Sequence, residues 1–226
     1  MQIPGILHRT TLRDRGTLPR DLERWAAQGV VTSVQPWYVT ADAPRDVVAL
    51  LRLGVLPTCL DAAALYGVWI PLHDGTHVYR PRSSRRQERL CTARARQLRR
   101  REGAPWDGAP LQPLVLHTPE LSAWPDADPV PELSLVLLHA GRCLPIPKAA
   151  VLFESALHLG LLTTHEVDRI LASLPQRRRR ALSRVRSDAE SGTETTVRWW
   201  LESIGVTVRP QTRFPDGRRR MDLLVG

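Results

Sequence analysis

Lysine is almost missing from this 226-residue chain: Lys148 is the only one, so the net charge of +9 and the isoelectric point near 10.8 rest on arginine. Arginine stays charged in every environment and grips phosphate with a planar fork, so its excess is compatible with nucleic-acid contact. A merely solvated surface would carry the same residues, and the blocks in which the charge falls say more than its total. Cysteine is scarce too. Cys59, Cys91 and Cys143 are odd in number and far apart, with no C-x-x-C and no Cys/His ligand spacing. That argues against a zinc site or a disulfide framework and for a reducing compartment. His73 and His77 stand four apart, but in a loop and a strand, so a metal pair is not expected of them. No apolar run reaches the length of a signal-peptide core or a bilayer span, so the expected location is cytoplasmic, with no membrane partner. No segment repeats another. What remains is a 42% hydrophobic chain, enough for a real core in two small domains or three subdomains.

The first forty residues read as two short helices and a hairpin. Thr10 or Thr11 can cap a helix that Gly16 breaks, and Pro19 opens a second one through Ala27, closed near Gly29. Leu22, Trp25 and Ala26 fall on one face of that second helix, leaving Arg20, Arg24 and Gln28 to point outward. The β-rich runs 30–34 and 37–40 flank Gln35-Pro36 and would form a small wing. Helix, turn, helix, wing is an arrangement in which the second helix reads the major groove of DNA.

The middle of the chain carries little chemistry. Helices are expected from Pro44 through Leu51 and over 57–66, and strands over 76–80 and 114–118, which can pair. Between them lies the densest basic run, from Arg82 to Arg101, with few apolar residues and no interleaved aromatics to stack on bases. A Pro-rich loop over 119–131 precedes helices over 132–140, 147–159, 164–174 and 176–185. Thr163 with Glu166 forms a capping box, and Pro175 separates the last two helices. Arg177 to Arg180 cannot share one helix face, so some of them must be solvated.

The last forty residues are the most patterned. Ser191 three places before Glu194 is a second capping box, opening a helix whose apolar positions Val197, Trp200, Leu201 and Ile204 predict a single buried stripe. Gly205 stops it. Val206 and Val208 then alternate ahead of Pro215-Asp216-Gly217, a turn that returns the chain as a strand over 220–225. Asp222 sits within that strand between Met221 and Leu223, where burial would require an arginine or a cation as partner.

The stretch SGTETTVRWWLESIG followed by RRRMDLLVG resembles the nuclease domain of a bacterial family related to very-short-patch repair endonucleases, with a restriction-endonuclease-like core. The N-terminal segment resembles the winged helix shared by AbiEi-type antitoxins and by actinobacterial proteins that carry such a nuclease-like domain. In those relatives the wing usually has Arg-Gly before its aromatic-Tyr pair, where this chain has Gln35-Pro36 before Trp37-Tyr38. The resemblance implies a Mg²⁺ site at Asp222, with Glu194 and Asp222 as the catalytic acids. It also implies a further strand with Glu-x-Asp or Glu-x-Lys, before which this sequence ends, so the chain alone is expected not to cleave. The expected fold is α+β: a winged helix over 1–43, a mixed α/β middle domain over 44–131 with an Arg-rich loop over 81–110, a helical connector over 132–186, and a partial nuclease-like domain over 187–226. The expected partner is duplex DNA, contacted by Arg20, Arg24, Gln28, Arg218 and Arg220, with a cognate toxin or a downstream polypeptide as a further partner. The alternative function is an antitoxin or autorepressor acting through the winged helix.

Overall fold

A computed structural model describes residues 1–79, 113–117, 127–213 and 220–225. The Arg-rich run over 81–110, most of the 119–131 loop and the 215–217 turn lie outside the described residues. The fold is α+β, helices with small sheets, in two compact units: Met1–Ala62 with Asp74–Glu132, and Ala63–His73 with Leu133–Gly226.

The first unit opens with β1 (Ile6–His8), α1 (Arg9–Asp14), α2 (Pro19–Ala27), β2 (Thr32–Val34) and β3 (Trp37–Val39). The strands form one antiparallel sheet in the order β1-β3-β2, with Ile6 opposite Val39 and Val34 opposite Trp37. Ile6, Leu12, Val34, Trp37 and Val39 make its buried side. β1 is not foreseen from sequence, because three residues are too few to display a period. It depends on Gly5, whose φ of +76° favours glycine, and where a Cβ would lie 2.7 Å from Thr40 Oγ1 and 2.9 Å from the Ala43 nitrogen.

The cap of α1 also differs from expectation. The side chain of His8, not a threonine hydroxyl, accepts the Thr10 backbone N–H at 3.3 Å. His8 is held for this by the edge of Trp37, its ring centroid 4.8 Å away. α2 starts at Pro19 as expected, and Asp21 Oδ2 accepts the Leu18 N–H at 3.3 Å, satisfying one free donor of the first turn. None of its residues is fully buried. Leu22 and Trp25 are half-buried, and Ala26, expected beside them, is exposed.

The same unit continues with α3 (Arg45–Arg52), β4 (Leu56–Pro57), α4 (Cys59–Leu65, which crosses into the second unit), β5 (Thr76–Tyr79) and β6 (Leu114–His117). β4 and β5 are antiparallel, while β5 and β6 pair in parallel with Val78 opposite Leu116, the pairing the sequence allowed. Leu50, Leu53, Val55 and Val78 form a core cluster, against which Leu114 packs.

The second unit is helical: α5 (Leu133–Cys143), α6 (Ile146–His158), α7 (Thr164–Ala172), α8 (Gln176–Leu182) and α9 (Gly192–Ser203), followed by the antiparallel pair β7 (Val208–Arg213) and β8 (Arg220–Val225). The Thr163–Glu166 capping box forms in full, the Thr163 N–H donating to Glu166 Oε2 at 2.7 Å, whereas at α9 only the Ser191 side-chain half forms and the Glu194 carboxylate takes the Glu190 N–H instead. Glu166 N–H donates to Thr163 Oγ1 at 3.3 Å, and Glu194 N–H to Ser191 Oγ at 3.2 Å. α6 is its central element, buried continuously from Ala149 to Ala156. The Ala63–His73 segment joins this unit through the Trp69 backbone N–H, which donates to Ser155 Oγ at 2.9 Å.

α9 turns a different face inward from the one its apolar spacing predicts. Val197, Trp200 and Ile204 are 40%, 60% and 58% exposed, while Thr195, Arg198 and Trp199 are buried. The cause is Glu154 on α6, fully buried and in need of donors. Thr195 Oγ1 donates to it at 2.8 Å, Trp199 Nε1 at 3.4 Å and the Arg186 backbone N–H at 3.3 Å, and Arg198 forms a close ion pair with it. A buried carboxylate left without donors costs several kcal/mol, more than the ~1.5–3 kcal/mol gained by burying one large apolar side chain, so the polar face wins.

Candidate nucleic-acid interface

α2 stands on the surface of the first unit with Pro19, Arg20, Glu23, Arg24 and Gln28 exposed. Half-buried Leu22 and Trp25 anchor it, and the β2–β3 hairpin follows directly, with Gln35 and Pro36 exposed at its tip. The Gln35–Pro36 peptide bond is cis, and the Pro36 carbonyl accepts the Arg9 N–H at 3.0 Å, tying the tip to the start of α1. Three expected contact residues, Arg20 and Arg24 within α2 and Gln28 at its C-cap, are therefore exposed together. Arg24 Nη2 donates to Asp21 Oδ1 at 2.9 Å, which fixes its direction along the helix. Arg9, Arg13 and Arg15 around α1 are exposed as well, Arg13 lying 3.6 Å from Asp14. An array of arginines and one amide on a protruding helix can meet phosphates and base edges.

The other two expected contacts lie elsewhere in the chain. Arg218 is outside the described residues, and of Arg220 the backbone position at the start of β8 is described. Asp222 is exposed on β8, so it does not need the buried partner its apolar neighbours called for. Glu194 serves the start of α9. Its Oε1 accepts the Ser191 hydroxyl at 2.9 Å and its Oε2 the Glu190 N–H at 3.0 Å. A Mg²⁺ ion takes oxygen ligands at about 2.1 Å in near-octahedral geometry. With Glu194 engaged in the cap and no gathering of three or more acidic, His or Cys side chains around Asp222 among the described residues, the acids present do not assemble a Mg²⁺ ligand set. No hydrolytic step follows from this geometry.

Among the described arginines of the second unit, Arg178, Arg184 and Arg186 meet protein acceptors. On α8, Arg178 donates through Nε to the Gly141 carbonyl and through Nη2 to the Leu144 carbonyl, and partial burial lowers its pKa from the usual arginine value. Arg177, Arg179 and Arg180 are exposed, as helical geometry requires of most of such a run. Near α9, Arg184 and Arg186 flank Glu202 at 3.1 and 3.6 Å, Arg186 also lies 3.3 Å from Asp188, and Arg184 sits 4.6 Å above the Trp199 ring.

A third constellation escapes sequence reading. Cys59, His77 and His117 come from different elements of the first unit, yet their ligand atoms lie within 4.8 Å of one another. The only advance sign in the sequence is the strand alternation that places His77 and Tyr79 on one face of β5 and Val78 on the other, which does not by itself announce a ligand. His73, four residues from His77, is directed instead to the Pro71 carbonyl, 3.1 Å from its Nδ1.

No protein-family model matches this chain, and no curated protein matches it significantly. Among the described residues no helix is long and apolar enough to cross a membrane.

Proposed function

We propose that the chain is a DNA-binding protein that acts through an N-terminal winged helix, with α2 as the reading helix and the β2–β3 hairpin as the wing. The observation that carries this reading is the element order β1-α1-α2-β2-β3 with sheet order β1-β3-β2, together with an α2 on which no residue is buried and Arg20, Arg24 and Gln28 are exposed. A globular protein that needed α2 only for packing would bury one of its faces. In this reading the arginines hold phosphates and Gln28 reaches a base edge. The wing tip carries no charge, so the helix supplies the affinity.

The C-terminal α9-β7-β8 segment is, in the same reading, a restriction-endonuclease-like scaffold whose described residues bring no Mg²⁺ ligand set together. Cleavage is left out because Glu194 serves the cap and, among the described residues, Asp222 belongs to no cluster of three or more acidic, His or Cys side chains. The protein then resembles a regulator or antitoxin more than an enzyme, and a cognate toxin is its natural further partner.

The test is fluorescence anisotropy of the whole protein on labelled duplexes across a range of salt. Duplex binding with a negative log–log salt slope is expected, and Arg20→Ala should reduce that slope by about one phosphate contact. Equal binding by wild type, Arg20→Ala and Arg24→Ala would remove α2 from the interface. Mg²⁺-dependent nicking that disappears in Asp222→Ala would replace the regulator reading with the nuclease one.

A further inference from the structure

From the convergence of Cys59, His77 and His117, we infer that the first unit holds a zinc-class transition-metal ion, with these three side chains as ligands and the ion tying β6 to the rest of its sheet. The inference is independent of DNA binding.

Each ligand is delivered by backbone that the fold has fixed. His77 is on β5 and 4% exposed. Its carbonyl accepts the Thr58 N–H at 3.0 Å, and its own N–H donates to Asp61 Oδ2 at 2.6 Å. These two bonds flank Cys59 and pin the β4–α4 corner to β5 on either side of the thiol. His117 ends β6, one strand over, and its Nε2 lies 3.0 Å from His77 Nδ1, with the rings tilted at 46°. Cys59 is fully buried and has a φ of +49°, the sole non-glycine residue with positive φ among those described. An L-residue is held in that region when its surroundings over-determine it, and such positions gather at functional sites.

The donor set selects the ion. One thiolate and two imidazoles, with no carboxylate among them, suit zinc and its neighbours in the first transition row rather than magnesium or calcium. The spacing of the two histidine nitrogens suits it as well. Two imidazole nitrogens at 2.0–2.1 Å from a tetrahedral zinc stand about 3.3 Å apart, and a nitrogen and a sulfur about 3.6 Å. The nitrogens here are 3.0 Å apart, within a few tenths of an ångström of that figure. A plain hydrogen bond between the two histidines accounts for the N···N distance but not for the strained cysteine beside it. The fourth position goes to water or to a further ligand from the chain.

The experiment is elemental analysis of the full-length protein purified without chelators, followed by exchange with Co²⁺. About one zinc per chain is expected. The cobalt form should show the intense visible bands of tetrahedral coordination and a near-ultraviolet thiolate-to-cobalt band. Cys59→Ser should weaken the thiolate band at least twofold, and His117→Ala should lower metal occupancy several-fold. Should either variant fail to fold, the wild type still decides the matter. Its melting temperature must fall when a chelator strips the metal and recover when Zn²⁺ is returned, because a ligand that binds the native state alone stabilises it. Wild-type protein with trace metal that takes up no Co²⁺, cobalt spectra without a thiolate band, or a melting temperature indifferent to chelator would each overturn the inference.

Discussion

Arg198 and Arg20 are the same residue on two helices, α9 and α2, and the fold treats them in opposite ways. Arg198 is 1% exposed, ion-paired with the fully buried Glu154 and bonded at 3.2 Å to Glu202 one turn on. Arg20 points into solvent from a helix that buries nothing completely. One arginine is a structural part whose charge the interior neutralises, and the other is available to something outside the protein. A composition of +9 cannot separate the two roles; burial and the position of the nearest carboxylate can.

The sharpest way to break this contrast is Glu154→Ala. It leaves the buried Arg198 guanidinium with only the partly exposed Glu202 as partner, and urea unfolding should show a loss of about 3–5 kcal/mol. A loss below about 1 kcal/mol would mean that water reaches Arg198 and that the two regions differ less than their burial implies. Ser191→Ala removes the side-chain cap that starts α9 and should lower stability by about 1 kcal/mol, read in the same assay. Arg20→Ala should leave stability within about 0.5 kcal/mol, being an exposed substitution, while weakening duplex binding. A stability loss like that of Ser191→Ala would show that α2 is held by its arginine rather than presenting it.

The smallest effect concerns pH. The Thr163 backbone N–H and hydroxyl hold the Glu166 carboxyl below its ordinary value of 4.5. A depressed folded-state pKa contributes stability that is complete above the unfolded value and disappears as pH falls through the folded one. Thermal melts of wild type and Glu166→Gln should therefore converge on acidification through 4.5 and differ most above it. Curves that stay parallel would show that the carboxylate adds nothing to the start of α7.

Features written within a few residues were legible. The Ser191 cap ahead of Glu194, Thr163 with Glu166, Pro19 at the start of α2, and the strand over 220–225 all act locally, and each formed where the sequence placed it. Features set by distant partners were not. The inward face of α9 is chosen by Glu154, 44 residues before Arg198, so the apolar spacing of Val197, Trp200 and Ile204 pointed to the wrong side. Likewise Cys59 and His117 meet only because β6 pairs with β5 across residues 80–113. The exposed arginines of α2 were legible as exposed, but spacing alone could not show that Arg24 is held by Asp21.

That parallel pairing of β5 and β6 also sets a timetable. β2 and β3 are joined by two residues, so their pairing closes a very short loop. β6 must first be brought back across everything between Tyr79 and Leu114, and the entropy of closing a loop grows with its length. Pulse-labelled hydrogen exchange during refolding should find the amides of β3 protected before those of β6, so that the last strand to arrive is the one that brings His117 to its partners.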